Sequence, residues 1–161
     1  MLRVGILTLS DKASRGERVD TAGAAVRELL GEIGAVVTRY LVLPDEHAVI
    51  AATLREWADA GDVDLIVTTG GTGLSPRDVT PEATMAVIDY VVPGMAEAMR
   101  AAGLRQTPMA MLSRGVCGVR GRTLIVNLPG SEKGVRENLS VLLPVLSHAV
   151  ETLQRPVEHG S

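Results

Sequence analysis

An apolar run, Val63-Asp64-Leu65-Ile66-Val67, stops at Thr68-Thr69-Gly70-Gly71-Thr72-Gly73, and this junction constrains the fold more than any other stretch of the chain. The run is short and aliphatic, the pattern of a buried strand. The three glycines behind it permit positive φ and close backbone approach, and the three threonines add hydroxyl donors and acceptors. A strand that ends this way hands backbone amides to whatever lies beyond the sheet. The guest it suits is anionic or rich in hydrogen-bonding edges. Arg77-Asp78-Val79-Thr80-Pro81-Glu82 follows closely. An acid such as Asp78 disfavours phosphate unless a cation stands between them, so the combination points to phosphate chemistry with a metal.

The rest of the chain alternates strands with helices. Val4 to Leu9 reads as a strand ending at Ser10-Asp11, followed by a polar loop from Lys12 to Asp20. Ala24, Val26, Leu29, Leu30 and Ile33 mark a helix closed by Gly34, and Ala35 to Leu43 a strand ended by Pro44-Asp45. Ile50, Leu54, Trp57 and Ala58 recur at helical spacing before Gly61, ahead of the 63–69 strand. Thr80-Pro81 is a helix start, with Thr80 as N-cap and Pro81 in the first helical position. Pro93-Gly94 breaks the run before a helix from Met95 to Ala102. Gly115, Gly118 and Gly121 punctuate a strand or hairpin ahead of the Thr123–Val126 strand, which ends at Asn127-Leu128-Pro129-Gly130. Val135, Leu139, Leu142, Leu146, Ala149 and Leu153 then define a strongly periodic helix. Residues 1–154 read as a single domain, and 155–161 as a frayed tail.

This order predicts a three-layer α/β/α fold: a mostly parallel sheet with helices on both faces and a small hairpin or antiparallel edge. In open sheets of this kind, ligands bind outside the carboxyl ends of the strands. The loops at that edge are Ser10-Asp11, Pro44-Asp45, Thr68 to Asp78, and Asn127 to Ser131; all are polar, acidic or glycine-rich. The turns at Gly34 and Gly61, at the opposite edge, read as ordinary helix stops.

Composition and absent motifs narrow the function. With no Phe, one Trp and two Tyr, the chain has no aromatic platform for stacking single-stranded nucleic acid. A net charge of −3 gives no footprint for DNA or RNA. Basic residues gather near loops instead (Lys12, Arg15 and Arg18; Arg77; Arg114; Lys133 and Arg136), which suits a small anion. The single cysteine, Cys117, reads as a small core residue in a reducing, cytoplasmic setting. No signal peptide and no membrane span are expected. Dinucleotide and phosphate-loop glycine patterns are absent, as are zinc-ligand spacings and a serine-hydrolase elbow.

Carboxylates, hydroxyls and glycine loops remain. Asp45 sits where a helix begins, so its residue chemistry leaves it open between a helix cap and a metal ligand. Asp78 is open between an Asx-turn and a metal ligand. If both face the cleft they suit Mg²⁺, which prefers oxygen ligands and retains water and substrate phosphate. Asp11 is a third ligand or a loop organiser. Gly130-Ser131, ahead of the last helix, suits an anion at a helix N-terminus.

Thr68 to Gly73 with Arg77 to Glu82 resembles the molybdopterin adenylyltransferases of molybdenum-cofactor biosynthesis (the MogA and MoaB type) and the related domain of gephyrin. The resemblance extends through Ser10-Asp11, Leu43-Pro44-Asp45-Glu46, Pro93-Gly94, Leu112-Ser113-Arg114 and Asn127-Leu128-Pro129-Gly130-Ser131, nearly the whole chain. It implies a homotrimeric enzyme that transfers AMP from Mg-ATP to the terminal phosphate of molybdopterin, releasing pyrophosphate. It places the catalytic, metal-binding aspartates at Asp45 and Asp78. Substrate-binding positions fall at Ser10, Asp11, Thr69, Gly70, Gly71, Thr72, Gly73, Ser113, Asn127, Pro129, Gly130 and Ser131. A molybdate-insertion protein is the downstream partner it suggests, and a paralogue that binds molybdopterin without catalysis is the alternative reading.

Overall fold

A computed structural model describes residues 1–156 of the chain. Its sheet has six strands: β1 (Arg3–Leu9), β2 (Val36–Leu43), β3 (Leu65–Thr69), β4 (Tyr90–Val91), β5 (Cys117–Arg120) and β6 (Thr123–Leu128). Their spatial order is β2-β1-β3-β6-β5-β4. β2, β1, β3 and β6 run parallel, while β5 is antiparallel to both of its neighbours, so the expected antiparallel edge is present. Among the described residues there are six α-helices, the first five between strands and the last after β6: α1 (Asp11–Ser14), α2 (Thr21–Gly31), α3 (His47–Ala60), α4 (Thr80–Met85), α5 (Pro93–Leu104) and α6 (Glu132–Gln154). A short 3₁₀ turn covers Pro108–Leu112.

The period-2 alternation of each buried strand divides its side chains between two layers. Val4, Ile6, Leu65, Val67, Leu124 and Val126 pack on one face against α2, α5 and α6. Leu7, Leu9, Ile66 and Ile125 pack on the other against α3 and α4. Each fully buried aliphatic side chain contributes about 1.5–3 kcal/mol, so these two clusters dominate stability. Gly5 keeps the second layer close: a Cβ there would lie 2.8 Å from the Trp57 ring. The one charge in the opening run is neutralised, because Arg3 forks Asp64 at 2.9 and 3.2 Å. Burial alone would raise the Asp64 carboxyl, but the Arg3 hydrogen bonds prevail and hold it below its ordinary range.

The chain leaves β1 for β2 on one side and later crosses to β3 on the other, so the strand order reverses beside β1. Thr8 pairs with Thr69, and Thr69 with Leu128, so the carboxyl ends finish at one level. That arrangement puts the loops of interest around a switch point.

Several local expectations change. The loop after β1 begins as the helical turn α1, because Ser10 Oγ accepts the Ala13 N–H at 3.1 Å and caps it. Helix α2 stops at Gly31, and Gly34 (φ 77°) belongs to the turn that follows. Pro93-Gly94 opens α5 rather than breaking the chain, since proline fits the first helical position. Thr80 is not an N-cap. Val79 holds that place without a side-chain bond, and the buried Thr80 hydroxyl donates to the Gly70 carbonyl at 2.9 Å. The two-residue β4 is too short to carry a readable pattern. Of the expected tail, 157–161 lies outside the described residues. Among the described residues, no helix is long and apolar enough to cross a membrane.

Candidate active site

At the end of β2, Pro44 stops strand pairing and Asp45 follows. Asp45 does not cap α3: the cap position belongs to Glu46, which makes no side-chain capping bond. Asp45 pairs with Asp11 instead. Its N–H donates to Asp11 Oδ1 at 2.9 Å, and the Asp11 N–H donates to Asp45 Oδ2 at 3.1 Å. Arg77 then forks the Asp11 carboxylate at 2.9 and 3.0 Å. The Arg77 hydrogen bonds, helped by the Asp45 N–H, hold the Asp11 carboxyl below its ordinary range. Asp11 is therefore a loop organiser whose oxygens are already engaged.

The other Asp45 oxygen, Oδ1, is buried and has no hydrogen-bond partner. Burial pushes the Asp45 carboxyl up; the Asp11 N–H opposes this, and the Asp11 and Asp78 charges reinforce it. A buried carboxylate oxygen without a donor is costly unless a cation satisfies it.

The glycine loop packs beside this oxygen. Gly70 and Gly71 have φ of 104° and 69°, a region that disfavours residues with a Cβ. A Cβ at Gly70 would strike the Leu9 carbonyl, and one at Gly71 would strike the Thr80 hydroxyl and sit 3.3 Å from Asp45 Oδ1. Two further bonds fix the loop: Gly70 N–H to the Leu128 carbonyl at 3.0 Å, and Thr80 N–H to the Gly71 carbonyl at 3.2 Å. Asp78 is not in a forward Asx-turn. Its Oδ2 accepts the Ser75 N–H at 3.0 Å, closing the 75–78 turn backwards.

Two clefts flank the turn after β6 and share Ser131. One, of about 330 Å³, gathers Ser10, Thr69, Gly70, Gly71, Gly130 and both Asp45 and Asp78. The other, of about 370 Å³, takes in Thr72, Gly73, Ser113 and Pro129, with Met109, Ala110 and Leu112 as an apolar wall. Ser131 caps α6, accepting the Gly134 N–H at 3.0 Å, so this 23-residue helix points its N-terminus at the shared turn. Thr69 Oγ1 donates to the Pro129 carbonyl, tying the same turn to β3. Asn127 does not present its amide to either cleft. It is buried, donating to Thr68 and Thr84 hydroxyls at 3.0 Å and accepting the Val116 N–H at 3.1 Å.

Some site residues were not evident in the sequence. Asp20 lines the first cleft while accepting from the Thr8 hydroxyl, the Tyr40 hydroxyl and the Gly23 N–H. Burial, then the bond to Asp20, pushes the Tyr40 phenol up to about 12. A capping acid ahead of α2 was the available signal, but the cross-strand bonds carry no local signature. Arg15 and Lys133, candidate phosphate cations, pair with Glu17 and Glu137. Arg18 lines the first cleft and makes no ion pair among the described residues. Cys117 is buried in the core, and burial lifts its thiol to about 12, so it is no nucleophile.

Fold and site together define an open-sheet α/β domain with two clefts at a strand-order switch point beside a glycine loop. The chain belongs to the family described as "probable molybdopterin binding domain", which matches residues 5–148. It is 40% identical over 154 residues to the molybdopterin adenylyltransferase of Helicobacter pylori strain J99, covering 94% of this chain and 88% of that protein. It is also 43% identical over 151 residues to the Drosophila melanogaster molybdenum cofactor synthesis protein cinnamon, covering 92% of this chain but only 25% of the fly protein. The crystal structure of the molybdopterin biosynthesis enzyme MoaB of Thermus thermophilus superposes with a TM-score of 0.91 at 58% identity, covering 98% of this chain and 100% of that one. These similarities bear out the resemblance seen in the sequence and place the chain among proteins of molybdenum-cofactor biosynthesis.

Proposed function

We propose that this protein is a molybdopterin adenylyltransferase, joining the terminal phosphate of molybdopterin to AMP from ATP and releasing pyrophosphate. The observation that carries this reading is the placement of Asp45 and Asp78 in one cleft under the glycine loop, with Asp45 Oδ1 buried and unpartnered. Among the described residues no cluster of three or more acidic, His or Cys side chains forms a metal cage. Two carboxylates nevertheless fit Mg²⁺, which keeps waters and phosphate oxygens in its shell. Bound there, Mg²⁺ would neutralise charge on the triphosphate and the departing pyrophosphate.

The chain's own groups do the rest. A phosphate oxygen of molybdopterin attacks the α-phosphorus of ATP, and the bond to the pyrophosphate oxygen breaks. The attacking phosphate is ionised at neutral pH, so no protein base is required. Catalysis is then alignment plus electrostatic stabilisation. Amides of Gly71 and of the turn before α6 face the phosphates, assisted by the positive end of that 23-residue helix. Arg18 supplies a cation at the rim of the cleft. The apolar cleft beyond Ser131 takes a flat ring of one substrate.

A homotrimer, as the resemblance implies, would bury some of the exposed apolar side chains, Tyr90, Val91 and Met111 being among them. The adenylylated product would pass to a molybdate-insertion protein.

The test mixes the protein with molybdopterin and Mg-ATP and assays adenylylated molybdopterin and pyrophosphate. Both should accumulate, and Asp78→Asn should abolish them while leaving pterin binding largely intact. Tight pterin binding without product would instead identify a non-catalytic molybdopterin-binding protein.

A further inference from the structure

Arg114 grips the loop that carries Asp78 from outside it. It lies between the 3₁₀ turn and β5, and its backbone N–H donates to the Thr72 carbonyl at 2.9 Å. Its guanidinium then spreads over three acceptors. Nε donates to the Gly73 carbonyl at 2.9 Å, one terminal nitrogen to the Asp78 carbonyl at 2.8 Å, and the other pairs with Glu82 in the first turn of α4. These contacts grip the start of the loop, its end, and the helix that follows.

The loop's other long-range tie is the Arg77 fork on Asp11, made by a side chain that is more than half exposed. Leu74 to Arg77 are exposed, and Leu74 buries nothing for the core. The 75–78 turn is closed by its own two bonds, Asp78 N–H to the Ser75 carbonyl and Ser75 N–H to Asp78 Oδ2, which shape it without fixing it to the sheet. At Gly73 an added Cβ would stand 2.9 Å from Asp78 Oδ2, so the carboxylate folds back tightly over the residue Arg114 holds.

We propose that Arg114 is the positioning residue for Asp78: by binding the Gly73 and Asp78 carbonyls with one rigid fork, it sets where that carboxylate stands opposite Asp45. The inference rests on the metal-dependent reading of the cleft. A planar guanidinium has donors in three directions, which a lysine ammonium on a flexible stem does not reproduce. Arg114 therefore acts through geometry, and its charge works against it. Removing a cation from the neighbourhood of a metal site would by Coulomb attraction alone tighten cation binding.

The experiment titrates Mn²⁺, a paramagnetic substitute for Mg²⁺, into the full chain without nucleotide or pterin and follows free Mn²⁺ by electron paramagnetic resonance. Arg114→Gln and Arg114→Lys should each weaken Mn²⁺ binding by about tenfold, the low end of what hydrogen-bonding groups behind metal ligands contribute. In an Asp78→Asn background, Arg114→Gln should have no further effect. Arg114→Lys keeps the charge and serves where the glutamine variant folds poorly. Unchanged or tighter Mn²⁺ binding in the Arg114 variants, with Asp78→Asn weakened, overturns the role of Arg114 and leaves the metal reading standing. The same Arg114 penalty with and without Asp78 also overturns it. Wild-type affinity in Asp78→Asn overturns the metal reading itself, and the Arg114 role with it.

Discussion

Asp11 and Asp45 each donate a backbone N–H to the other's carboxylate, at 3.1 and 2.9 Å, closing the ends of two adjacent parallel strands into one unit. Arg77 clamps that unit from 66 residues along the chain. Asp11 therefore holds Asp45 in place, while Asp45 keeps one oxygen free.

The relationship ranks two substitutions. Asp11→Ala leaves the Asp45 N–H without its acceptor and Arg77 without its partner, and should cost about 1–3 kcal/mol of unfolding free energy. Arg77→Ala removes only an ion pair whose arginine is more than half exposed, worth about 0–1 kcal/mol. Urea denaturation should show Asp11→Ala as clearly the less stable. Equal stabilities would mean the reciprocal pairing contributes nothing beyond the surface ion pair.

Asp45→Asn should stabilise the fold while abolishing turnover. The asparagine Oδ1 can accept the Asp11 N–H, and a neutral amide replaces an unpartnered buried carboxylate oxygen. Because burial raises the Asp45 carboxyl, the folded state holds the proton to higher pH than the unfolded chain does. The stability contributed by Asp45 is thus complete below the ordinary carboxylate range and is lost as pH rises through the raised value. The variant does not titrate. Its advantage should appear as a higher melting temperature near neutral pH and should vanish once the pH falls below the ordinary carboxylate range. Melting curves without divalent cations check this, and a variant less stable than wild type at neutral pH would contradict it.

Glycines 71 and 34 separate backbone strain from crowding. Both have positive φ, 69° and 77°, but nothing lies near a Cβ at Gly34, whereas Gly71 faces Thr80 and Asp45. Gly34→Ala should cost about 1–2 kcal/mol from φ alone and leave ligand binding unchanged. Gly71→Ala should cost more and abolish nucleotide or pterin binding, read by calorimetry. Identical behaviour of the two would remove the close approach at Gly71 as an explanation.

How far the sequence announced all this follows from the range of the interactions involved. The apolar run before Thr68 and the period of Val135 to Leu153 are local patterns, so the layers and the functional edge were legible from them. The glycines at 70 and 71 were legible because positive φ restricts residue type. Thr80 was misread as a cap because its neighbour Pro81 gave a correct helix start, and only a fold that places Gly70 above it turns its hydroxyl elsewhere. Asp45 was undecided for the same reason: its partner is Asp11, at the end of another strand. Arg114 reaches a loop some 40 residues earlier in the chain, a contact that no local pattern encodes.

Thr80 offers the sharpest check on that misreading. If its hydroxyl serves Gly70 and not α4, Thr80→Val leaves the buried Gly70 carbonyl without this donor, at a cost of about 1–3 kcal/mol. The loop that holds Gly71 against Asp45 then loosens, so substrate affinity should fall. Thr80→Ser keeps the hydroxyl and should retain most of the affinity. A helix cap predicts a different pattern. Both Thr and Ser cap well and Val does not, so a cap would fray α4 in the valine variant and leave the glycine loop undisturbed. Hydrogen exchange resolves the two, because loss of protection at Gly70 and Thr80 with α4 amides from Thr84 onward unchanged marks the loop role. Faster exchange through α4 alone would restore the capping role.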